Sequence, residues 1–114
     1  DEAILLEKEA MDYGMDVLVE THTVEEVQMA NKLKTRLIGI NNRNLKTMEV
    51  DINTSLTLKK YIDPNKIIVA ESGLKHHSDL LLLKENNIHN FLIGESLMNE
   101  QDLTSATKKI LGLL

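Results

Sequence analysis

The hydrophobic positions of this chain fall into two patterns that alternate along the sequence. Short runs of consecutive apolar residues begin at Val17, Leu37, Ile67 and Phe91. Such runs predict strands covered on both sides, because a strand with one solvent-exposed face alternates apolar and polar residues instead. The stretches between them carry apolar residues three and four positions apart, which is the spacing of one helix face.

The first helix is predicted at the very start of the chain. No cap precedes it, and Gly14 supplies the left-handed stop that commonly ends a helix. Because the chain opens in what reads as the middle of a helix, we expect it to be part of a longer protein. The apolar residues that define this helix are Ala3, Leu6, Ala10 and Met11.

Four further helices complete the prediction. Thr23 and Glu26, three positions apart, form a capping box that starts the first of them. The order α-βα-βα-βα-βα, without a linker or low-complexity segment, predicts one α/β unit with a parallel sheet over residues 1–114. The remaining helices are expected over residues 54–62, 78–85 and 102–111, the last of them ending at Gly112.

The composition of the chain mainly excludes classes of partner and chemistry. The net charge of −5 and the 3% of aromatic side chains argue against a nucleic-acid partner. The absence of cysteine excludes disulfides and thiol chemistry. No apolar run approaches the roughly 20 residues of a membrane span, and no signal-peptide pattern is present. We therefore expect a cytoplasmic protein with no membrane partner.

Every predicted strand ends on polar or glycine residues, and ligands of α/β folds bind at these carboxyl ends. Glu20 and Glu71 would face a common mouth, raise each other's pKa and suit general acid or base chemistry. Asn41 offers a donor and an acceptor, and Arg43 offers a planar fork for a substrate carboxylate. The simpler interpretation is that these side chains form a solvated rim or satisfy loop backbone.

The last two strands end on Glu71-Ser72-Gly73 and Gly94-Glu95-Ser96. Strand ends of this kind leave backbone N–H groups free near the next helix, where an anion is favoured. In TIM barrels a phosphate site follows strands 7 and 8. The pattern therefore predicts a (β/α)8 TIM-barrel fragment, the C-terminal half-barrel with four parallel strands and flanking helices. The alternative is that the glycines only permit a turn.

The histidines carry less information. His22 lies close to the predicted mouth, where contact with substrate and a structural role both remain open. His76 and His77 precede a helix, where capping or exposure is the favoured interpretation. Adjacent side chains do not share a helix face, so we expect no metal site there.

Four segments, in order and across nearly the whole chain, resemble the last four strands of indole-3-glycerol phosphate synthase. The resemblance implies an enzyme that converts 1-(2-carboxyphenylamino)-1-deoxyribulose 5-phosphate to indole-3-glycerol phosphate with loss of carbon dioxide and water, in tryptophan biosynthesis. It also implies that no cofactor or metal is used. The most specific of the segments is Ile38–Leu45, and the others are Val17–His22, Val69–Gly73 and Leu92–Met98.

By this resemblance, Glu20 handles protons, and Asn41 and Arg43 hold hydroxyl and carboxylate groups of the substrate. Glu71 contacts the substrate, and Glu95 acts through its backbone N–H because its own carboxylate would repel phosphate. Ser72 belongs with the substrate-binding residues at the strand 7 end. The phosphate-binding set is Gly73, Gly94, Glu95 and Ser96.

The resemblance also implies an absence. The family's catalytic lysines and a further glutamate lie on the first three strands, and no lysine here occupies a strand end in their place. Asn44 stands where an aspartate is common in the family. We therefore expect the chain alone to be inactive. We also expect the missing N-terminal half-barrel, or a second copy of the chain, to cover its open edges and apolar face.

Two other classes of function stay open on the sequence alone. A flavodoxin-like or receiver-like binding module also alternates strands and helices, but it needs a fifth strand. Another sugar-phosphate barrel, such as an isomerase of the same pathway or a tryptophan synthase α subunit, is disfavoured by the segment Ile40–Arg43. A half-barrel assembly fragment is compatible with the family resemblance.

Overall fold

The computed structural model describes all 114 residues and contains one sheet of four parallel strands. The strands lie side by side in the order in which they occur along the chain. Each begins within one residue of its predicted start. The strands are β1 (Leu18–Thr21), β2 (Leu37–Asn41), β3 (Ile67–Glu71) and β4 (Asn90–Leu92).

Helices follow every strand, and one helix precedes the first. None of them is long and apolar enough to cross a membrane. The helix α5 was not predicted, because it is a single turn whose residues read as the polar end of a strand. The helices are α1 (Glu2–Asp12), α2 (Val24–Ala30), α3 (Asn53–Leu58), α4 (His77–Glu85), α5 (Glu95–Met98) and α6 (Leu103–Ile110).

The sequential strand order decides between the predicted folds. A doubly wound sheet of the flavodoxin type has five strands and reverses its strand order, whereas this sheet has four strands in the order β1-β2-β3-β4. Parallel strands added one after another, each followed by a helix, are the arrangement of half a (β/α)8 barrel. The predicted fold class is therefore confirmed, with strand edges open at β1 and β4.

Helices cover only one face of the sheet. Ile38 and Ile40 of β2 are completely buried on that face, in a cluster with residues of α2 and α3. On the other face Leu18 is 40% exposed and Leu92 is 55% exposed, although their chain neighbours pack into the core. The prediction that the strands are covered on both sides is thus wrong for this chain by itself. No helix packs on the face that a closed barrel would enclose.

A buried carboxylate fixes α1, which the apolar pattern did not foresee. Leu6 is 64% exposed, whereas Glu7 is 5% exposed. The two carboxylate oxygens of Glu7 accept hydrogen bonds from the backbone N–H groups of Lys34 (3.0 Å) and Thr35 (2.8 Å), just before β2. The expectation of an uncapped start is also wrong, because the Asp1 side chain accepts from the N–H of Ala3 and caps α1.

Other local signals are confirmed. Gly14 and Gly112 both adopt positive φ angles, of 76° and 77°, directly after helices. The Thr23 hydroxyl accepts a hydrogen bond from the Glu26 N–H, as a capping residue does. The Glu26 carboxylate reaches back one residue further than in a standard capping box, to the N–H of His22.

Replacing Glu7 with alanine should destabilise the fold by about 1–3 kcal/mol, because two backbone donors before β2 lose their acceptors, one of them buried. Chemical denaturation of the variant measures this loss. Glu9→Ala is the matched control, since Glu9 lies exposed on the same helix. Equal midpoints for the two variants would contradict the role given to Glu7.

Candidate active site

One cleft of about 800 Å³ opens at the carboxyl ends of the strands. It receives side chains or backbone from the end of every strand. All nine residues predicted for the site line it. They are Glu20, Asn41, Arg43, Glu71, Ser72, Gly73, Gly94, Glu95 and Ser96.

Strand register explains why the polar side chains meet. Glu20 of β1 is paired with Gly39 of β2, and Asn41, two residues further along β2, is paired with Glu71 of β3. Residues two apart on a strand point to the same face. Glu20, Asn41 and Glu71 therefore all project from the face that the helices leave uncovered.

Asn41 is fixed by hydrogen bonds at both ends of its amide. Its Nδ2 donates to Glu20 Oε1 over 2.6 Å, and its Oδ1 accepts from the N–H of Arg43 over 2.9 Å. A carboxylate and a backbone donor thus determine which way the amide points. Asn41 in turn holds the Glu20 carboxylate in the cleft.

Glu71 occupies space that a glycine provides. The residue is 6% exposed, and a Cβ atom built at Gly39 would lie 2.5 Å from Glu71 Oε1. Gly39 has no positive φ to explain its presence. A glycine inside a strand often marks a close approach of this kind, so the signal was present in the sequence but was missed.

The environment of Glu71 raises the pKa of its carboxyl group. Burial is the largest cause, and the negative charge of Glu20 adds to it, while His22 acts in the opposite direction. The predicted effect of Glu20 on Glu71 is therefore present, although burial contributes more. A raised pKa makes Glu71 more available as a proton donor near neutral pH.

Arg43 already has a carboxylate partner in this structure. Its Nη2 lies 2.7 Å from Glu95 Oε2, which joins the loop after β2 to the start of α5. Glu95 is 70% exposed and Arg43 is 26% exposed in their side chains. Sequence reasoning treated the Glu95 carboxylate only as a source of repulsion, and it missed that Arg43 holds it.

The glycine turns predicted to hold phosphate differ from each other. After β3, Ser72 and Gly73 both adopt left-handed φ angles, of 66° and 74°, and a Cβ atom at Gly73 would collide with Val50 Cγ1. The helix α4 starts only at His77, beyond this turn. After β4, Gly94 leads directly into α5, whose first N–H groups have no partner within the helix.

Two further residues line the cleft, and a third lies next to it. Lys75 lines it from the loop between β3 and α4, so a lysine is present at the site, though not at a strand end. His76, expected only to cap α4, also lines the cleft. His22 lies behind Glu20, with Nε2 3.1 Å from Glu20 Oε1. No group of three or more His, Cys, Asp or Glu side chains is arranged to hold a metal ion.

Gly39→Ala should move the Glu71 carboxylate toward solvent, because the added Cβ would collide with a flexible side-chain end rather than with backbone. We expect the pKa of Glu71 to fall toward its ordinary value. Carboxyl ¹³C shifts followed through a pH titration would measure it. In Gly94→Ala the new Cβ meets nothing within 4 Å, so this control should leave the Glu71 titration unchanged. An unchanged titration in Gly39→Ala would contradict the steric argument.

Glu71→Gln should stabilise the fold at pH 7. A carboxyl group whose folded-state pKa lies above the ordinary 4.5 favours folding below that pH and loses this contribution as the pH rises through the folded-state value. The gain of the variant should therefore shrink as the pH is lowered toward 4.5. Thermal unfolding at a series of pH values tests this, and an equal gain at every pH would contradict it.

A family model described as indole-3-glycerol phosphate synthase matches residues 1–110 of the chain. The indole-3-glycerol phosphate synthase of Acinetobacter baylyi is 46% identical over 109 residues, which are 95% of this chain and 41% of that protein. The protein of the same name from Azospirillum brasilense is 44% identical over 110 residues, which are 96% of this chain and 42% of that protein.

The corresponding Zymomonas mobilis protein is 43% identical over 95% of this chain and 41% of its own length. The chain thus spans about two fifths of the length of the curated relatives that it matches. That share agrees with the half-barrel seen in the fold. With nearly its whole length matched by the family model, the chain belongs to the indole-3-glycerol phosphate synthase family.

Proposed function

We propose that this chain forms the phosphate-binding half of an indole-3-glycerol phosphate synthase active site. The reaction is the conversion of 1-(2-carboxyphenylamino)-1-deoxyribulose 5-phosphate to indole-3-glycerol phosphate, with loss of carbon dioxide and water, in cytoplasmic tryptophan biosynthesis. The observation that carries the proposal is the single cleft in which all nine matched positions meet. The enzyme class is a carboxy-lyase that works without a metal or cofactor.

The two carboxylates have different roles in this proposal. Ring closure and dehydration both require protons to be moved at the substrate's oxygen and carbon atoms. Glu20 moves them, since it is positioned by Asn41 at 2.6 Å and its side chain is 45% exposed toward the cleft. Glu71, with its raised pKa, donates a hydrogen bond to a substrate oxygen when protonated.

Arg43 and the two glycine turns bind the anionic ends of the substrate. An exposed ion pair is worth only about 0–1 kcal/mol, so a substrate carboxylate can displace Glu95 from Arg43 at little cost. A planar guanidinium can then bind the carboxylate through two parallel hydrogen bonds. Released from Arg43, the Glu95 side chain turns to solvent, while the N–H groups after Gly94 face the phosphate, together with Ser72 and Gly73.

The charge of the cleft supports the proposal that this half is insufficient by itself. Four carboxylates line it, against the cations of Arg43 and Lys75. A substrate that carries both a phosphate and a carboxylate needs more positive charge than this. The remainder of the barrel supplies that charge, covers the exposed Leu18 and Leu92, and is the partner we propose for this chain, with a second copy as the alternative.

A full-length barrel that carries this segment should therefore turn over the substrate, whereas the 114-residue chain alone should be at least about 10²-fold slower. Indole fluorescence reports product formation directly. Glu20→Gln in the full-length barrel should lower kcat by about 10²- to 10⁴-fold. Glu25→Gln, an exposed neighbour on α2, is the matched control and should retain the rate. Full activity of Glu20→Gln, or of the chain alone, would refute the proposal.

A further inference from the structure

A second cleft lies beside the first and has no role in the function proposed so far. It has a volume of about 590 Å³ and is lined almost entirely by polar residues of the loops after β1 and β2. His22 and Glu26 line this second cleft, whereas Glu20 lines only the first. The His22 ring therefore stands between the carboxylate that faces the substrate and a separate pocket.

The His22 ring is flanked by a carboxylate on each side. Nε2 lies 3.1 Å from Glu20 Oε1, and Nδ1 lies 3.4 Å from Glu26 Oε1. Nε2 is buried and makes no hydrogen bond of good geometry, although the distance to Glu20 would allow one after a small rotation of the ring. A buried polar atom without a hydrogen-bond partner is uncommon in proteins. Here the unpaired Nε2 suggests that it exchanges a proton with Glu20 during the reaction.

Glu26, on the side of the ring away from Glu20, is held in place by hydrogen bonds and is open to water. Glu26 Oε1 accepts a hydrogen bond from the His22 N–H over 2.9 Å, and the Glu26 N–H is capped by Thr23. The Glu26 side chain is nevertheless 46% exposed. Glu20, by contrast, faces the cleft that the substrate fills in the proposed function, where bound substrate would exclude water from that side.

We propose that His22 is a positioning residue that carries protons between Glu20 and the water of the second cleft. This proposal rests on the function proposed for Glu20. In one direction the Glu20 carboxyl gives its proton to Nε2, and the ring releases its Nδ1 proton to Glu26 or water. One proton enters and one leaves, and the imidazole changes tautomer. The reverse transfer reprotonates Glu20 and restores the first tautomer.

Charged groups around the ring set the conditions for this exchange. Glu20 faces the ring from β1 and Glu26 faces it from α2. Each ring nitrogen therefore has a carboxylate oxygen within 3.4 Å. Glu71 of β3 interacts with the ring electrostatically. The other charged side chains along the second cleft are Arg43, Lys46, Glu49 and Asp51.

His22→Gln in the full-length barrel tests the proposal, because glutamine can contact Glu20 but cannot pass a proton through itself. We expect kcat to fall by about 10- to 100-fold with little change in KM, and added imidazole buffer to restore much of the rate. Glu26→Gln, which leaves the ring intact, should show a smaller loss of the same buffer-dependent kind. Glu25→Gln should match the wild type.

Unchanged kcat in His22→Gln, or a loss that imidazole does not relieve, would overturn the proposal. If His22→Gln does not fold, the buffer dependence of Glu26→Gln decides in its place. A wild-type barrel without turnover would refute the proposed function instead. In that case the ring ¹⁵N chemical shifts of His22 test the present proposal. They should change in Glu20→Gln if the two groups exchange a proton, and constant shifts would overturn it.

Discussion

The parallel register of β2 with both of its neighbours is the constraint on which the rest of the molecule depends. It places Gly39 opposite Glu20 and Asn41 opposite Glu71, so that three polar side chains share one face at one end of the sheet. A shift of one residue would send these side chains into the helix-covered core and bring Ile38 and Ile40 into the cleft. Burial of the two isoleucines between the sheet and its helices therefore stabilises the fold and positions the site at the same time.

The sequence predicted what depends on local pattern. Runs of apolar residues located the strands, and Gly14 and Gly112 located helix ends, because a left-handed residue after a helix is a local requirement. The residues of the cleft were found because the carboxyl ends of parallel strands share one edge. What the sequence could not show is which side chains meet across that edge. The Arg43–Glu95 pair and the burial of Glu7 join residues far apart in the chain.

Gly39 was partly predictable from the sequence and partly not. Glycine weakens a strand interior, so its presence at a central position of β2 signals some close approach. The identity of the approaching group, Glu71, follows only from the register and from the length of the glutamate side chain. Local pattern thus indicated that something occupies the space, and the three-dimensional structure identified it as the carboxylate of a proposed site residue.

The burial of Glu71 also explains why this site is costly to the fold that contains it. Its surroundings raise its pKa, so ionising this carboxyl group costs more free energy in the folded state than in the unfolded chain. Glu20 increases that cost, and the partner groups that would offset it are few, because carboxylates outnumber cations in the cleft. The same half-barrel leaves apolar side chains exposed on its inner face. A single covering element that brings cations and apolar surface to this face would offset both costs, and this is why completing the fold and completing the site amount to one requirement.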